Sequence, residues 1–377
     1  MKRILFITPS KSIGGTNSSL SSIINHLNND YKIDVLLMST YGDSQYEFLQ
    51  SAITCKLLDA YITDFKKLSG FVKFLAVIIK LIKKVALLFG IPIERIIFKA
   101  VARKLQKKYN FDYVVGFSEG RAMKLASEFN DVIKFTWIHC EYDRAVPLNV
   151  DELSFYSKFN KIVCVSKYTR DLFANRYPSL ASNTMYIYNL LDVNRILTLA
   201  NEEIDDDRFS NSLYTIISVG RIDPVKGFSN IPHIANTLLE KRIDFTWYII
   251  GGPVNVEYNF IKAEIDKYGV QENVILLGSK TNPYPYFKIA DLYVSTSLSE
   301  ACPMVFNEAA LLGLPVISSN FGSAYEFVVD DGNNIKPIEE IADAILNHYN
   351  SHRKNTNNKK IKEIDFIAKA KLSSLFE

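Results

Sequence analysis

The chain has 377 residues, which is enough for two domains of ordinary size, each with its own core. Its 48% hydrophobic and 23% charged content, with a net charge of +3, excludes a disordered protein. The four cysteines are scattered and show no Cys/His spacing typical of zinc, so we expect a reducing cytosol and no structural metal.

The amino terminus is predicted to form a strand followed by a helix. Basic residues precede an apolar run of only five residues, which favours a first strand over a secretion signal. Residues 4–7 are typical of a buried parallel strand, and a loop with Gly14 and Gly15 separates them from a predicted helix at 18–27. A strand, a glycine pair and a helix amino terminus can bind an anion, although a simple turn is equally compatible with this pattern.

Residues 66–108 carry most of the positive charge. They hold twelve Lys and Arg residues against one acid, Glu94, a net charge of +11. Apolar side chains lie between the cations, and Lys73, Lys80 and Lys84 recur at near-helical spacing, which predicts a basic amphipathic helix on an anionic membrane surface. The alternative is a helix whose apolar face packs on the core of the first domain. The lysines within the segment argue against a membrane-spanning helix.

Further strand-like runs alternate with helical patterns, an arrangement that predicts a parallel sheet. They lie at residues 34–38, 113–116, 134–138 and 161–165. His139 follows the third of these runs, and a lone histidine in this position is more often a packed core residue than a functional one. Residues 201–211 are acidic and are predicted to be a solvated linker, in which Asp205 to Asp207 should not bind metal.

A second domain is predicted to begin with a strand at 214–219. The strand leads into the loop Gly-Arg-Ile-Asp-Pro-Val-Lys-Gly at 220–227, which contains Arg221 and Lys226. Two cations between a strand and a helix can meet the charge of a diphosphate, Arg as a fork and Lys as a point charge. Without other motifs, two ordinary surface cations would be the better interpretation.

Two glutamates flank the start of a later predicted helix. Residues 291–296 form a predicted strand, Pro303 suits the first helical position, and Gly313 suits the carboxyl-terminal cap. Glu300 therefore lies in the loop and Glu308 inside the helix, both near the carboxyl end of a strand, where open α/β sheets bind ligands. Carboxylates accept hydrogen bonds from vicinal hydroxyls such as those of ribose or hexose. The alternative is a pair of solvated surface residues.

These motifs together resemble the retaining GT-B glycosyltransferases of family GT4. The resemblance rests on Gly-Arg-x4-Lys-Gly at 220–227, on Glu300-x7-Glu308 and on Gly-Leu-Pro-Val-Ile at 313–317, and it covers nearly the whole chain. Ala301 and Cys302 stand where the commoner family spelling has Gly and Phe. The resemblance implies an α/β protein with the GT-B fold, in which two Rossmann-like domains with parallel sheets face each other across a cleft.

The resemblance also implies domain limits and residue roles. Residues 1–195 would bind the acceptor, 196–212 would be a linker, 213–350 would bind the nucleotide-sugar donor, and a helix within 351–377 would cross back to the first domain. The catalytic residues would be Arg221 and Lys226 at the donor phosphates, with Glu300 and His139 at the transferred sugar. Glu308 would hold the ribose, and the other expected donor contacts are Gly14, Gly15, Pro303, Met304 and Val305.

The function expected from the resemblance is transfer of a sugar, with retention, from a nucleotide-sugar to a glycan or lipid-linked oligosaccharide in polysaccharide biosynthesis. A UDP-sugar is the favoured donor. We expect no metal, no cofactor and no nucleic-acid partner, and a peripheral location on the cytoplasmic face of a membrane. The alternatives are an inactive GT-B subunit that binds a glycan or a partner, and a sugar-nucleotide epimerase or a phosphorylase on the same architecture. A phosphorylase would need a pyridoxal-bearing lysine, for which the sequence shows no context.

Overall fold

The computed structural model describes all residues except 12–13, 42–45, 69, 149, 210–213, 253–255, 329–333 and 352–357. Contacts within the chain divide it into two compact units, Met1–Leu190 with Ala368–Glu377, and Leu191–Ile367. The end of the predicted linker, at 210–212, and residues 352–357 before the last helix lie outside the described residues.

The first unit is built on a parallel sheet with helices between its strands. The strands are β1 (Arg3–Thr8), β2 (Lys32–Leu37), β3 (Tyr113–Gly116), β4 (Ile133–Ile138), β5 (Lys161–Cys164) and β6 (Thr184–Tyr186). The helices are α1 (Gly15–Leu27), α2 (Lys56–Ile62), α3 (Gly70–Leu88), α4 (Ile93–Lys108), α5 (Arg121–Ala126), α6 (Tyr142–Ala145), α7 (Leu153–Tyr156) and α8 (Lys167–Arg176).

The strand order of this first sheet is β2-β1-β3-β4-β5-β6, and the neighbouring strands are parallel. All four residues of β3 are buried, as are five of the six residues of β1, which explains why both strands read as continuous apolar runs. The order reverses between β1 and β3, and in open α/β sheets a ligand binds outside the carboxyl ends of the strands at such a switch point.

The second unit contains a second parallel sheet. Its strands are β7 (Thr215–Val219), β8 (Thr246–Ile250), β9 (Val274–Gly278), β10 (Leu292–Ser295), β11 (Val316–Ser319) and β12 (Ile335–Lys336). Its helices are α9 (Val193–Leu199), α10 (Ile231–Glu240), α11 (Val256–Tyr268), α12 (Tyr284–Ile289), α13 (Met304–Leu311), α14 (Ala324–Phe327) and α15 (Ile341–Ser351). The final helix, α16 (Asn358–Phe376), begins in this unit and ends in the first.

The second sheet has the strand order β12-β11-β10-β7-β8-β9. Renumbered within the unit and read from the other edge, this is 3-2-1-4-5-6, the order of Rossmann dinucleotide-binding domains. Its switch point lies between β7 and β10, which pair in parallel through Ile216 with Leu292 and Ile217 with Tyr293. The prediction of two Rossmann-like α/β units with parallel sheets is confirmed.

Two predicted helix starts were wrong by a few residues. α1 begins at Gly15 rather than at residue 18, because the Ser18 amide already donates to the Gly14 carbonyl oxygen at 3.1 Å. α13 begins at Met304, one residue after Pro303, whose ψ angle of 90° is not helical. Pro303 nevertheless accepts a hydrogen bond from the amide of Phe306 at 3.0 Å, so it takes the cap position instead of the first helical one.

The composition of the acidic stretch before β7 predicted a solvated linker, but one of its aspartates is buried and paired. Asp206 has a side chain only 6% exposed and forms ion pairs with Arg208, at 2.7 Å, and with Lys280. Hydrogen bonds from Arg208 and Lys280 hold the pKa of Asp206 well below its usual range despite burial. This aspartate therefore fastens the residues before β7 to the loop after β9.

Candidate functional site

The loops after β7 and β10 lie against each other at the carboxyl edge of the second sheet. The Leu298 amide donates to the Val225 carbonyl oxygen at 2.8 Å, and the Thr296 hydroxyl donates to the Lys226 carbonyl oxygen at 3.1 Å. Gly227 has φ +61°, and a Cβ atom there would lie 2.2 Å from the Thr296 carbonyl oxygen. No side chain fits at that distance, so glycine is what allows the two loops to meet.

This contact brings two of the predicted catalytic residues together. The ammonium group of Lys226 donates to Glu300 Oε1, and the Ser297 hydroxyl donates to the same oxygen at 3.0 Å. The side chains of Lys226 and Glu300 are 17% and 16% exposed. The Ser323 hydroxyl donates to the backbone carbonyl of Glu300, so the carboxylate is positioned from both ends of its residue.

Arg221 lies in the same loop but is not brought to Glu300. Its side chain is 81% exposed and forms a weak ion pair with Asp223 at 3.4 Å. Asp223 itself is fixed, because its carboxylate accepts hydrogen bonds from the amides of Val225 and Lys226 at 3.1 and 3.2 Å. The guanidinium of Arg221 is therefore tethered at the surface beside the Lys226 loop and is free to contact an anionic ligand.

Glu308 lies on α13 in a partly exposed position. It accepts a hydrogen bond from the Tyr284 hydroxyl at 3.3 Å. Burial raises the pKa of Glu308 to about 7, although the Tyr284 hydrogen bond and the positive charge of Arg195 oppose the rise. Near neutral pH this carboxyl is therefore divided between its protonated and ionised forms.

The other donor contacts predicted in this region surround the start of α13. Pro303 is buried, and Met304 and Val305 are half-buried in the first turn of the helix. Met304 packs against a small apolar cluster that contains Leu191 and Ile196. Part of the Met304 side chain thus supports the helix, which places Glu308 at the carboxyl edge of the sheet.

The predicted residues of the first unit gather at the carboxyl edge of the first sheet. Gly14 and Gly15 are exposed at the start of α1, after β1, and His139 follows β4. Glu119 follows β3, the strand between β1 and β4, and accepts a hydrogen bond from the His139 amide at 3.0 Å. The imidazole ring packs edge-on against Phe117, with ring centroids 4.8 Å apart.

His139 is chemically distinct from an ordinary surface histidine. Burial lowers the pKa of His139 to about 4, although the nearby charge of Glu119 acts in the opposite direction. The ring is therefore neutral at neutral pH. Its buried Nε2 atom has no hydrogen-bond partner among the described residues, so it is available to a hydroxyl group of a ligand.

One known family resembles the sequence of the second unit. Residues 201–363, which include Arg221, Lys226, Glu300 and Glu308, match the family model described as glycosyl transferases group 1. This stretch is thus similar to the glycosyl transferases of group 1.

Two curated proteins that are similar to part of this chain are named as glycosyltransferases. An uncharacterized glycosyltransferase of Methanocaldococcus jannaschii is 28% identical over 170 residues, which are 44% of this chain and 41% of that protein. The O-antigen biosynthesis glycosyltransferase WbnH of Escherichia coli is 26% identical over 165 residues, 42% of this chain and 46% of the relative. The matched part thus spans less than half the length of these relatives.

Solved structures match the whole chain rather than residues 201–363 alone. HepE of Anabaena, solved in complex with UDP, has a TM-score of 0.66 at 17% identity, over 100% of this chain and 98% of that one. The lipopolysaccharide outer core galactosyltransferase WaaB, in its apo form, has a TM-score of 0.66 at 16% identity and covers 99% and 98% of the two chains. At these identities the likeness establishes the fold, and the predicted GT-B fold is confirmed.

Several polar partners at the two edges were not predicted. Ser297, Tyr284 and Glu119 each bond directly to a predicted residue. Glu119 follows the strand-like run 113–116 just as His139 follows 134–138, so the rule that selected the histidine could have selected the glutamate. Among the described residues no group of His, Cys, Asp and Glu side chains is arranged to hold a metal ion.

The basic segment of the first unit forms α3 and α4, and α3 leaves an apolar face in solvent. The exposed apolar side chains of α3 are Phe71, Phe74, Val77, Ile78, Leu81, Ile82, Val85 and Leu88. Ala76, Ile79 and Ala86 on another face are buried, so only part of the helix packs on the core. At 100° per residue, Lys73, Lys80 and Lys84 line one flank of the exposed apolar face. Within the described part of the chain, no helix combines the length and hydropathy needed to cross a bilayer.

Proposed function

We propose that the chain is a retaining glycosyltransferase of family GT4, which moves a sugar from a nucleotide-sugar donor to a glycan or lipid-linked oligosaccharide in polysaccharide biosynthesis. The observation that carries the proposal is the contact between Lys226 and Glu300 at the switch point of a unit that is similar to the glycosyl transferases of group 1. A UDP-sugar is the favoured donor, since HepE, a structural neighbour, was solved with UDP and with UDP-glucose.

In this proposal the cations of the β7 loop receive the donor diphosphate. A lysine ammonium group has three N–H donors, so Lys226 can keep its bond to Glu300 and still donate to phosphate oxygens. Arg221 is exposed beside it and can add a forked contact. The two residues stabilise the negative charge that develops on the departing nucleotide, which is the main demand of the reaction. We propose that these side chains do so without a metal ion or another cofactor.

The carboxylates take the hydroxyl groups of the donor. Glu308, in the second turn of α13, accepts hydrogen bonds from the ribose, and Glu300 accepts them from the transferred sugar. Gly14 and Gly15 open α1 and leave room for the diphosphate near that helix amino terminus. His139 offers a neutral imidazole to the sugar, because its Nε2 atom is unpaired among the described residues.

The assignment is tested by donor binding and by turnover in two lysine variants. In a thermal-shift panel of UDP-, GDP- and ADP-sugars, the donors that carry one of the three bases should stabilise the protein. A ligand at about a hundred times its Kd adds roughly 2.7 kcal/mol to the free energy of unfolding. Lys226→Ala should lose turnover by orders of magnitude. Lys241→Ala, which removes a lysine paired with Asp343 in the same unit, is the matched control and should remain active. Equal activity of both variants would remove Lys226 from the mechanism.

A comparison of nucleotide binding with sugar transfer distinguishes the proposed roles of Glu300 and His139 from those of the nucleotide contacts. Their alanine variants should bind free nucleoside diphosphate nearly as well as the wild type and transfer sugar poorly, since the nucleotide alone lacks the sugar. A loss of nucleotide binding in both variants would assign them to the nucleotide instead.

We also propose that residues 66–108 hold the protein on the cytoplasmic face of an anionic membrane, where a lipid-linked acceptor would be found. The exposed apolar face of α3 supports this, because side chains such as Phe74 and Leu81 can enter the interface while Lys73 and Lys80 meet lipid phosphates. Each nearby cation can add about 1 kcal/mol of attraction to an anionic leaflet.

The membrane assignment is tested by co-sedimentation with anionic vesicles at low and high salt. Changing Lys73, Lys80, Lys83 and Lys84 to Ser should weaken binding, whereas changing four lysines of the second unit (Lys241, Lys262, Lys267 and Lys288) should not. A wild-type protein that stays in the supernatant with anionic vesicles at low salt would make a soluble acceptor the better proposal.

A further inference from the structure

A cavity of about 360 Å³ opens at the edge of the first sheet opposite to His139. Lys134, which lines it, is the second residue of β4, whereas His139 follows the last residue of the same strand. Five residue steps of about 3.3 Å each separate the two places by about 16 Å along the strand. The cavity is therefore a separate place from the carboxyl-edge site described above.

The ionisable side chains around this cavity are mostly cations. They are Arg95, Lys99, Arg103, Lys134, Lys158 and one carboxylate, Glu128. Three of the cations come from α4, at intervals of four residues, so they form a row along one face of that helix. With five cations and one acid, the lining carries a net charge of +4.

Glu128 is shared among three of these cations and cannot neutralise the rest. Its side chain is 3% exposed, and its oxygens lie 3.1 Å from Arg95, 2.9 Å from Lys158 and 4.0 Å from Lys99. Arg103 and Lys134 have no carboxylate within ion-pair distance in the described part of the chain. A buried carboxylate thus gathers the cations, and two further cations are left over.

Lys134 lies at the wall of this cavity together with the cation Lys158. Its ammonium group donates to the Phe129 carbonyl oxygen at 3.0 Å, which fixes it at the cavity wall. Burial and the neighbouring positive charge of Lys158 lower the pKa of Lys134, although Glu128 acts in the opposite direction. An anion in the cavity would relieve this repulsion.

A second cavity of about 250 Å³ shares Arg95 and Glu128 with the first one. Its wall includes the apolar side chains of Pro92, Phe98 and Phe155. The cationic cavity therefore adjoins one that is partly apolar and is also lined by Glu94 and Lys124. A ligand that carries an anionic group on an organic body would find partners for both parts.

We propose that the cationic cavity binds a ligand through its phosphate group, carried either by a soluble organic phosphate or by a lipid headgroup. Phosphate oxygens accept hydrogen bonds from arginine forks and lysine ammonium groups, and the multiple negative charge of a phosphate or diphosphate matches the net +4 of the lining. The cavity volume lies within the range of about 300–1,000 Å³ typical of small-molecule sites. The proposal does not depend on the activity proposed above.

The test is calorimetric titration with inorganic pyrophosphate at low ionic strength. The pocket variant is Arg103→Gln with Lys134→Gln, because these two cations can be removed without unpairing Glu128. The matched control is Lys104→Gln with Lys107→Gln, which removes the same charge from exposed positions of α4 outside the cavity. Any pyrophosphate that binds at the Lys226 loop contributes equally in all three proteins. Thermal unfolding checks that both variants fold, and Arg103→Gln alone replaces the pair if it does not.

The pocket variant should bind pyrophosphate at least about tenfold more weakly than the wild type, since one lost hydrogen bond between charged groups accounts for that factor. The control variant should bind pyrophosphate as well as the wild type does. Flotation with phosphatidylcholine vesicles, with and without phosphatidylglycerol, identifies the source of the phosphate. A loss of phosphatidylglycerol binding in the pocket variant alone assigns a lipid headgroup, and a loss confined to pyrophosphate assigns a soluble compound. If the two variants behave alike in both assays, the proposal is overturned.

Discussion

The carboxyl of Glu308 offers the sharpest test of the site, because its protonation is set by its surroundings. Burial raises the pKa of Glu308 to about 7, so the folded protein holds this proton more tightly than the unfolded chain does. Its contribution to the stability is therefore greatest below pH 4.5, declines as the pH rises towards 7, and is constant above that. The isosteric variant Glu308→Gln removes the titration.

The size of the effect follows from the two pKa values. The interval from the ordinary value of 4.5 to about 7, at 1.36 kcal/mol per pH unit, gives about 3 kcal/mol. Because the side chain is partly exposed, solvent screens some of this cost, and the figure is an upper limit. Compared with low pH, the free energy of unfolding of Glu308→Gln above pH 7 should thus have risen relative to that of the wild type by as much as about 3 kcal/mol.

The assay is urea unfolding of the wild type and the variant across this pH range, with UDP titrations under the same conditions. Wild-type affinity for UDP should rise through about pH 7, as the ionised carboxylate becomes available to the ribose, and the variant should bind weakly at every pH. The Tyr284→Phe variant loses the hydrogen bond to the carboxylate, so its pH dependences of stability and of UDP affinity should both move to higher pH than in the wild type. A stability difference that stays constant with pH would refute the reasoning about burial. A pH-independent UDP affinity would refute the ribose contact.

Three further predictions concern single residues. Gly227→Ala should destabilise the protein by clearly more than Gly269→Ala. Both glycines have positive φ, so either substitution costs about 1–2 kcal/mol of strain, but of these two only Gly227 has a carbonyl oxygen 2.2 Å from the added carbon. Equal losses of stability in urea unfolding would contradict this. Glu128→Gln should cost about 1–3 kcal/mol, because three cations lose a charged acceptor. A variant as stable as the wild type would show that the ion pairs contribute nothing. His139 has a pKa of about 4 in the folded protein and 6.5 when unfolded. As the pH falls from 6.5 to 4, the free energy of unfolding of the wild type should therefore decrease by up to about 3 kcal/mol relative to that of His139→Asn. Parallel pH profiles of the two proteins would mean that the ring is not buried as described.

The sequence was sufficient to predict the sheets and the edge at which the site lies. The apolar run at 4–7 is short and is followed by Thr8 and Pro9, and the mostly β-branched run at 214–219 is short and is followed by Gly220. These features favour strands over helices in both units. The rule that ligands bind at the carboxyl ends of strands then selected the loops that contain Lys226, Glu300 and His139. That Lys226 and Glu300 lie near each other follows from topology alone, because β7 and β10 are adjacent at the switch point of the second sheet.

The individual partners could not be predicted in the same way. Arg221 and Lys226 occupy one loop, yet the structure pairs Lys226 with Glu300 and leaves Arg221 beside Asp223, a difference set by the turn that Asp223 caps. The cationic cavity is built from α4, the residues after α5, the start of β4 and the residues after α7. Its members are far apart in sequence, and no local pattern connects them before the sheet order is known.

Two acidic groups, Glu300 and Glu308, share the carboxyl edge of the second sheet beside Tyr293. This residue of β10 is buried, and its hydroxyl donates to the Val219 carbonyl oxygen at the end of β7 at 3.2 Å. Burial, together with the nearby charges of Glu300 and Glu308, raises the pKa of the Tyr293 phenol well above its usual range, so it stays neutral. Glu300 is compensated by Lys226, whereas among the described residues Glu308 accepts a hydrogen bond from Tyr284 and is influenced by the positive charge of Arg195. Partial protonation of Glu308 therefore limits the negative charge that an incoming diphosphate would meet at this edge.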